Sequence, residues 1–456
     1  MGKPDHDNLK KIKNIWQSVR SDTLLQRVLK NSGYLFSSSS LVLGLAMLQS
    51  ILAGRLLGAA ELGVLGSITA FASTINRLFS FRMGELVIKY LGDYLPNNEK
   101  ERAAALIKIA GITEAATSIL AFIILILLAP LGARFFAKDL AYTPLFRFYG
   151  FSILGGLMSE TATGVLQSTE RFKHQAWVNL GQSILTAAVI LAAFLFKGGL
   201  WWVVSAYLVG KLILGILPVV LAWQSLDLNL GTGWWRTPIT GLPPWKELRH
   251  FAITSNLSAT VSMLVRDSEI LWVAFFLNPT AAGYYKVAIA ISSLIPIPVT
   301  PFISATFPEI SRSTAAHAWQ RLLRLIKRVS LFSTVITACI SIFLVLFGRI
   351  LILFYGAEFL PAYPALMVLL AGYAFGNLVF WNRPLLLALN LPGYPFWVTS
   401  ICGGIKILLT LIVIPRFGII GAAALLTGYL IVSGGIMAVR GLQQLRANSG
   451  MESSTA

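Results

Sequence analysis

The strongest constraint on this chain is a recurrence. About twelve apolar stretches, each close to the ~20 residues that cross a bilayer as a helix, follow one another along the sequence. They fall near 34–54, 62–82, 104–128, 143–166, 175–196 and 199–222, then near 252–277, 281–306, 329–352, 363–386, 392–414 and 417–439. Hydrocarbon offers no partner to a backbone N–H or C=O, so spans of this length predict helices. The expected fold class is all-α, a polytopic membrane protein. Composition agrees: 56% of the 456 residues are hydrophobic and 12% charged, about half the ~25% charged of an average soluble domain. Cys339 and Cys402 both lie in apolar runs. They read as small core residues, with neither a disulfide framework nor a metal spacing.

Lys and Arg number 37 against 19 Asp and Glu, a net charge of +18. The excess is unevenly placed. Alternate connections carry Lys100 and Arg102, Arg171 and Lys173, Lys246 and Arg249, then Arg312, Arg321, Arg324, Lys327 and Arg328, and finally Arg440 and Arg446. The other connections are short and poor in charge, as in 278-NPTAA-282. Cytoplasmic loops are the basic ones, which places both termini in the cytoplasm and gives the high charge a topological origin. No nucleic-acid partner is implied. The basic segment 1–33 leads into a run long enough to span, so no cleaved signal peptide is expected.

Two six-helix lobes, 34–223 and 249–441, are expected on either side of a linker at 224–248, with a tail at 442–456. The linker is rich in Gly, Pro and Trp, and Trp234, Trp235 and Trp245 suit a membrane interface. The lobes resemble each other. Aligning 55-RLLGAAELG-63 with 275-FFLNPTAAG-283 pairs Leu57 with Leu277 and Gly63 with Gly283, a shift of 220 residues. The same shift pairs Pro144 with Pro364 and Gly156 with Gly376, and 207-YL-208 meets 429-YL-430 at a shift of 222. With an even number of spans per half, the repeats are parallel, related by an axis along the membrane normal, as in many transporters.

Four stretches carry a family resemblance: 53-AGRLLGAAELGVLGSITAF-71, 264-LVRDSEILWVAFFLNPTAAGYYKVAIAI-291, 307-FPEIS-311 and 415-PRFGIIGAAALLTGYL-430. In them the sequence resembles the polysaccharide transporter branch of the multidrug/oligosaccharidyl-lipid/polysaccharide exporter superfamily, which includes the O-antigen and exopolysaccharide flippases. Asp267 fits the family's acidic position in helix 7, although Ser268 follows where Arg is common and Arg266 precedes it. The resemblance implies two lobes rocking around a central cavity. It also implies a cargo of undecaprenyl-diphosphate-linked glycan moved from the cytoplasmic to the outer leaflet. The implied partners are that lipid-linked oligosaccharide, membrane lipids and other membrane proteins of polysaccharide assembly. No cofactor is implied, and coupling to H+ or Na+ is compatible with it.

Charges within spans are costly, so each needs a partner, water or a function. Lys211 lies in the middle of 204-VSAYLVGKLILGILPVV-220 with no acid within a turn, which favours a hydrated cavity. Arg266 and Glu269 are i,i+3 neighbours, a spacing equally suited to mutual neutralisation and to lining a cavity. Lys406, some two turns from its helix end, is expected to snorkel. Glu114 and Glu160 suit either a polar cavity or a proton carrier. Arg383 lies toward the cytoplasmic end of its span. On one continuous helix, Arg82, Glu85 and Lys89 would share a stripe at the membrane edge, with Arg77 deeper and on another face. The family pattern, for its part, places Gly84 and Lys89 at the cytoplasmic mouth of the cavity.

A diphosphate needs Arg or Lys, Arg for bidentate geometry and Lys as a point charge. Arg77, Lys89, Lys211, Arg266 and Arg383 are therefore the candidate substrate-binding residues, with Glu85, Glu114, Glu160, Asp267 and Glu269 as candidate coupling or cavity carboxylates. Pro296, Pro298 and Pro301 in 295-IPIPVTPF-302 remove backbone donors and are expected to bend helix 8. The sequence holds no P-loop and no HExxH, and its four histidines are scattered. The rival readings are a cation or drug antiporter on the same fold and a membrane enzyme of glycan assembly. The second is disfavoured by the short outward loops.

Overall fold

The computed structural model describes residues 23–239, 260–261, 264–391 and 393–455. Among these, regular structure is helical throughout. Seven segments are long and apolar enough to cross a membrane, and two of them hold a joint that makes each a pair of passes. The helices are α1 (Thr23–Phe79), α2 (Gly84–Tyr94), α3 (Lys100–Gly132), α4 (Thr143–Gly155), α5 (Ser159–Ser168), α6 (Phe172–Leu195) and α7 (Leu200–Leu230). In the second lobe they are α8 (Glu269–Phe276), α9 (Pro279–Ser292), α10 (Thr300–Ala315), α11 (Trp319–Leu353), α12 (Tyr363–Leu378), α13 (Asn382–Ala388) and α14 (Gly393–Thr455). Read as passes, they fall on eleven of the twelve expected spans and on the end of the seventh, much of which lies outside the described residues.

Two passes joined by a single residue need a backbone that L-residues avoid. Gly58 supplies it inside α1 with φ +70°, and Gly418 inside α14 with φ +60°. Other passes are broken midway. The second pass stops at Phe79 and resumes at Gly84, and the fourth is split into α4 and α5. In the other lobe the eighth pass is split into α9 and α10, and the tenth into α12 and α13. The resumed helices start at Gly84 and Thr300, and at Ser159 and Asn382, offsets of 216 and 223 residues that bracket the sequence repeat. The breaks thus obey the same pseudo-symmetry as Gly63 and Gly283.

Pro296 and Pro298 lie within the break of the eighth pass, and Pro301 falls in the first turn of α10, where a missing N–H costs nothing. The second pass breaks without a proline. Its freed groups find side chains on α3: Phe81 N–H donates to Thr117 Oγ1 at 3.0 Å, and Ser80 Oγ lies 2.8 Å from Ser118 Oγ. This break overturns the single stripe drawn through Arg82, Glu85 and Lys89. Arg82 sits in the interruption, while Glu85 and Lys89 belong to the separate helix α2, both exposed. Two boundaries also move. Helix α7 continues to Leu230, burying Ser225 and Leu226, so the connection between lobes begins at Gly231 rather than at 224. Helix α14 runs to Thr455 with Leu445 buried, so the expected tail extends the last pass. Trp234 is buried against Trp223, Trp235 is exposed, and Trp245 lies outside the described residues.

The buried apolar side chains are distributed unequally between the two faces. On the face opposite the termini, both lobes share one continuous core, from Leu62, Leu65 and Phe146 in the first to Tyr285, Phe359 and Leu426 in the second. Toward the face where the terminal helices end, the cores are separate: Val87, Leu106 and Leu166 in one lobe, Ile310, Leu322 and Leu385 in the other. The shared core is closed by a tight crossing. A Cβ on Gly63 would run into the carbonyl oxygen of Pro279, and one on Gly283 into that of Ala59. Both pairs are related by the 220-residue shift, so the repeat seen in the sequence is a two-fold contact in space. Two further bonds seal this face, Arg55 Nε to Phe354 O at 2.6 Å and Lys138 Nζ to Phe275 O at 2.6 Å.

Candidate functional site

Below that seam the lobes face each other across a charged layer. At ~1.5 Å per residue, Lys211, Arg266, Asp267, Glu269, Lys286 and Lys406 lie roughly 10–18 Å beneath the turns of the sealed face, near the middle of a ~30 Å hydrocarbon core. Arg77 starts about 28 Å down and joins the layer through its ion pair with Asp267. Arg77, in the last turn of the first-lobe part of α1, forms an ion pair with Asp267 of the seventh pass. The bridge joins the two lobes. Asp267 is half-exposed, and Thr260 Oγ1 also reaches the Arg77 carbonyl at 3.3 Å. Lys211 on α7 is exposed, hydrogen-bonds to no described residue, and lies within electrostatic range of Arg77, so it faces the same space.

One residue back from Asp267, Arg266 hydrogen-bonds Tyr429 of α14. Arg266, Asp267, Glu269 and Tyr373, with Leu426 and Leu430, line a cavity of about 370 Å³ in the second lobe. Glu269 does not pair with Arg266. Its carboxylate is buried, ion-paired with Lys406 of α14, and accepts a 2.7 Å hydrogen bond from Tyr285 Oη. Lys406 also donates to the Val265 carbonyl and is itself buried, so it does not snorkel. Both corrections have one cause: the partner comes from another helix, and a spacing rule along one helix cannot see it. A buried pair completed by a third hydrogen bond is the arrangement in which desolvation is offset.

Glu114 is placed elsewhere. It is 1% exposed and accepts from Glu160 N–H at 2.9 Å, Thr161 N–H at 2.8 Å and Thr161 Oγ1 at 2.6 Å. Those N–H groups are the orphan donors at the start of α5, so Glu114 caps a helix that begins inside the membrane. Glu160 itself is exposed. In the second lobe the break of the eighth pass, the counterpart of the second, is closed by Asn377, whose Nδ2 donates to Ile295 O at 2.9 Å and to Thr337 Oγ1 at 3.2 Å. The Asn377 backbone carbonyl accepts from Ser333 Oγ at 2.8 Å. Lys89, with its ammonium 4.7 Å from the Tyr90 ring, and Arg383, exposed on α13, lie toward the terminal face and outside the charged layer. Among the described residues no three His, Cys, Asp or Glu side chains converge as a metal site would require.

Sequence reasoning missed three members of the layer and its surroundings, Tyr285, Asn377 and Lys286. Tyr285 and Asn377 are polar groups in apolar runs, a weak signal in a chain with 13 Tyr. Lys286 carried a stronger one. It stands in 284-YYKVAIAI-291, as isolated in its span as Lys211. In space it packs over Gly66 of α1.

Two lobes of broken helices, sealed at one face around a charged mid-membrane layer, define a flippase-like membrane transporter. The family described as polysaccharide biosynthesis protein matches residues 28–314, and the chain belongs to it. Inner membrane protein YghQ of Escherichia coli (strain K12) is 23% identical over 345 residues, covering 75% of this chain and 96% of that protein. Probable flippase AglR of Haloferax volcanii is 26% identical over 316 residues, 66% of this chain and 64% of its own. Among solved structures, the lipid II flippase MurJ in an inward closed conformation superposes with a TM-score of 0.68 at 15% identity, covering 91% of this chain and 90% of MurJ. At that identity the likeness speaks for the fold.

Proposed function

We propose that the protein is a secondary transporter that flips undecaprenyl-diphosphate-linked oligosaccharide from the inner to the outer leaflet of the bacterial cytoplasmic membrane, for O-antigen or related polysaccharide synthesis. The observation that carries this reading is the charge of the mid-membrane layer. Among the described residues it holds five cations, Arg77, Lys211, Arg266, Lys286 and Lys406, against two carboxylates, Asp267 and Glu269. A surplus of cations facing a cavity suits an anionic head group, whereas a cation antiporter would favour surplus carboxylates.

The face where the terminal helices end is assigned to the cytoplasm, because Lys100, Arg102, Arg171, Lys173, Arg321 and Arg324 belong to it. With the shared core on the other face, the lobes form an inward-facing arrangement. Substrate enters between the separate cores, the head group meets the charged layer, and rocking about that layer opens the seam at Gly63 and Gly283. The glycan crosses in the wet space between lobes while the lipid tail stays in the bilayer. No cofactor takes part, and the drive is a H+ or Na+ gradient or the substrate's own.

Vesicles reconstituted with the protein and fluorescent undecaprenyl-diphosphate oligosaccharide test this directly. Label should become accessible in the opposite leaflet, and Arg77→Ala or Lys211→Ala should abolish that movement at unchanged protein levels. Absence of protein-dependent movement, or normal movement in both variants, would sink the proposal.

A further inference from the structure

Lys286 is the one cation of the layer whose surroundings are fixed by the repeat itself. Shifting 286 by 220 residues gives 66, and Gly66 is the residue Lys286 packs against. The two therefore occupy the pseudo-two-fold axis, next to the Gly63–Gly283 crossing. One lobe contributes an ammonium there and the other contributes no side chain. The space is needed: a Cβ on Gly66 would lie 3.1 Å from Lys286 Cδ and 3.3 Å from Ile270 Cγ2.

Among the described residues this ammonium meets no anion. Lys286 hydrogen-bonds to no described residue, forms no ion pair, and is of intermediate exposure. The two carboxylates of the layer are already engaged, Asp267 by Arg77 and Glu269 by Lys406 and Tyr285. A cation held at this depth without a described partner is costly, and its stem alone fills the space over Gly66. Its neighbour Ile270 and, one helical turn on, Ile289 both line the second-lobe cavity.

Resting on the flippase reading above, we propose that Lys286 is a substrate-binding residue at the apex of the inter-lobe cavity, where its ammonium takes a phosphate of the lipid-linked diphosphate. Gly66 is kept free of a side chain so that the ammonium can stand on the axis. Placed there, one cation serves both lobes and is not left behind when either tilts.

The test uses the purified full-length protein with three lipids, undecaprenyl diphosphate, undecaprenyl monophosphate and undecaprenol, and measures binding alongside the thermal midpoint. Wild type should prefer the diphosphate. Lys286→Met should weaken diphosphate binding at least tenfold, leave undecaprenol binding unchanged, and melt at the wild-type temperature or above it, because a charge without a described partner at membrane depth has been removed. Lys286→Arg should retain most of the preference. Gly66→Val, which displaces the lysine without altering its charge, should lose it. If Lys286→Met keeps the wild-type preference, or loses it together with a lowered melting point, the role assigned to Lys286 is wrong while the flippase reading stands. If wild type binds all three lipids alike, both fall.

Discussion

The two lobes break their helices at matching places and repair them with different chemistry. In the first, the hydroxyl of Thr117 takes the Phe81 N–H freed by the broken second pass, and a buried carboxylate, Glu114, gathers two backbone N–H groups and a hydroxyl at the start of α5. In the second, a neutral amide, Asn377, donates to the Ile295 carbonyl left by the broken eighth pass. The repeat has preserved where backbone is interrupted but not what satisfies it. A break inside a membrane must be satisfied from within the protein, and any donor or acceptor of the right sign will do.

That asymmetry predicts unequal costs. Glu114→Ala leaves three buried donors without an acceptor and should lower stability by about 4 kcal/mol, read as a reduced thermal midpoint in detergent. Glu114→Gln keeps an acceptor and should lose about half as much. The seam should behave in the opposite way, symmetrically. Gly63→Ala and Gly283→Ala each drive a methyl into backbone and should disfavour the sealed face by about 3 kcal/mol, to the same extent. Labelling of a cysteine placed at Arg55 by an impermeant maleimide would report it, and a silent Gly283→Ala would break the two-fold account. Smallest is Asn377→Ala, which strands one carbonyl and one hydroxyl and should cost about 1–2 kcal/mol in the same melting experiment. If it matched Glu114→Ala, the lobes would not differ as described.

Much of the fold was legible because it rests on local rules. Span length, loop charge and the 220-residue shift each act within one segment or by counting, and Gly63 with Gly283 turned out to touch. The site was less legible because its bonds are between helices. The i,i+3 spacing of Arg266 and Glu269 left pairing and cavity lining equally open; both line the cavity, and Glu269 reaches across to Lys406, 137 positions away in sequence. The stripe through Arg82, Glu85 and Lys89 failed for a related reason. Nothing in 80-SFRM-83 resembles a helix breaker, and the break is stabilised by Thr117 and Ser118 on another helix. The prolines at 296 and 298 are the contrary case, since a missing N–H is written in the residue itself.

The single-residue joint at Gly58 bears on how chains of this kind can vary in length. Inserting or deleting one residue there would turn everything after it by ~100°. Gly63 would leave the crossing and Arg77 would swing away from Asp267 in the same stroke. No gradual series of lengths leads through such a joint, so insertions that preserve transport belong in turns such as 95–99, where the following helix can keep its phase.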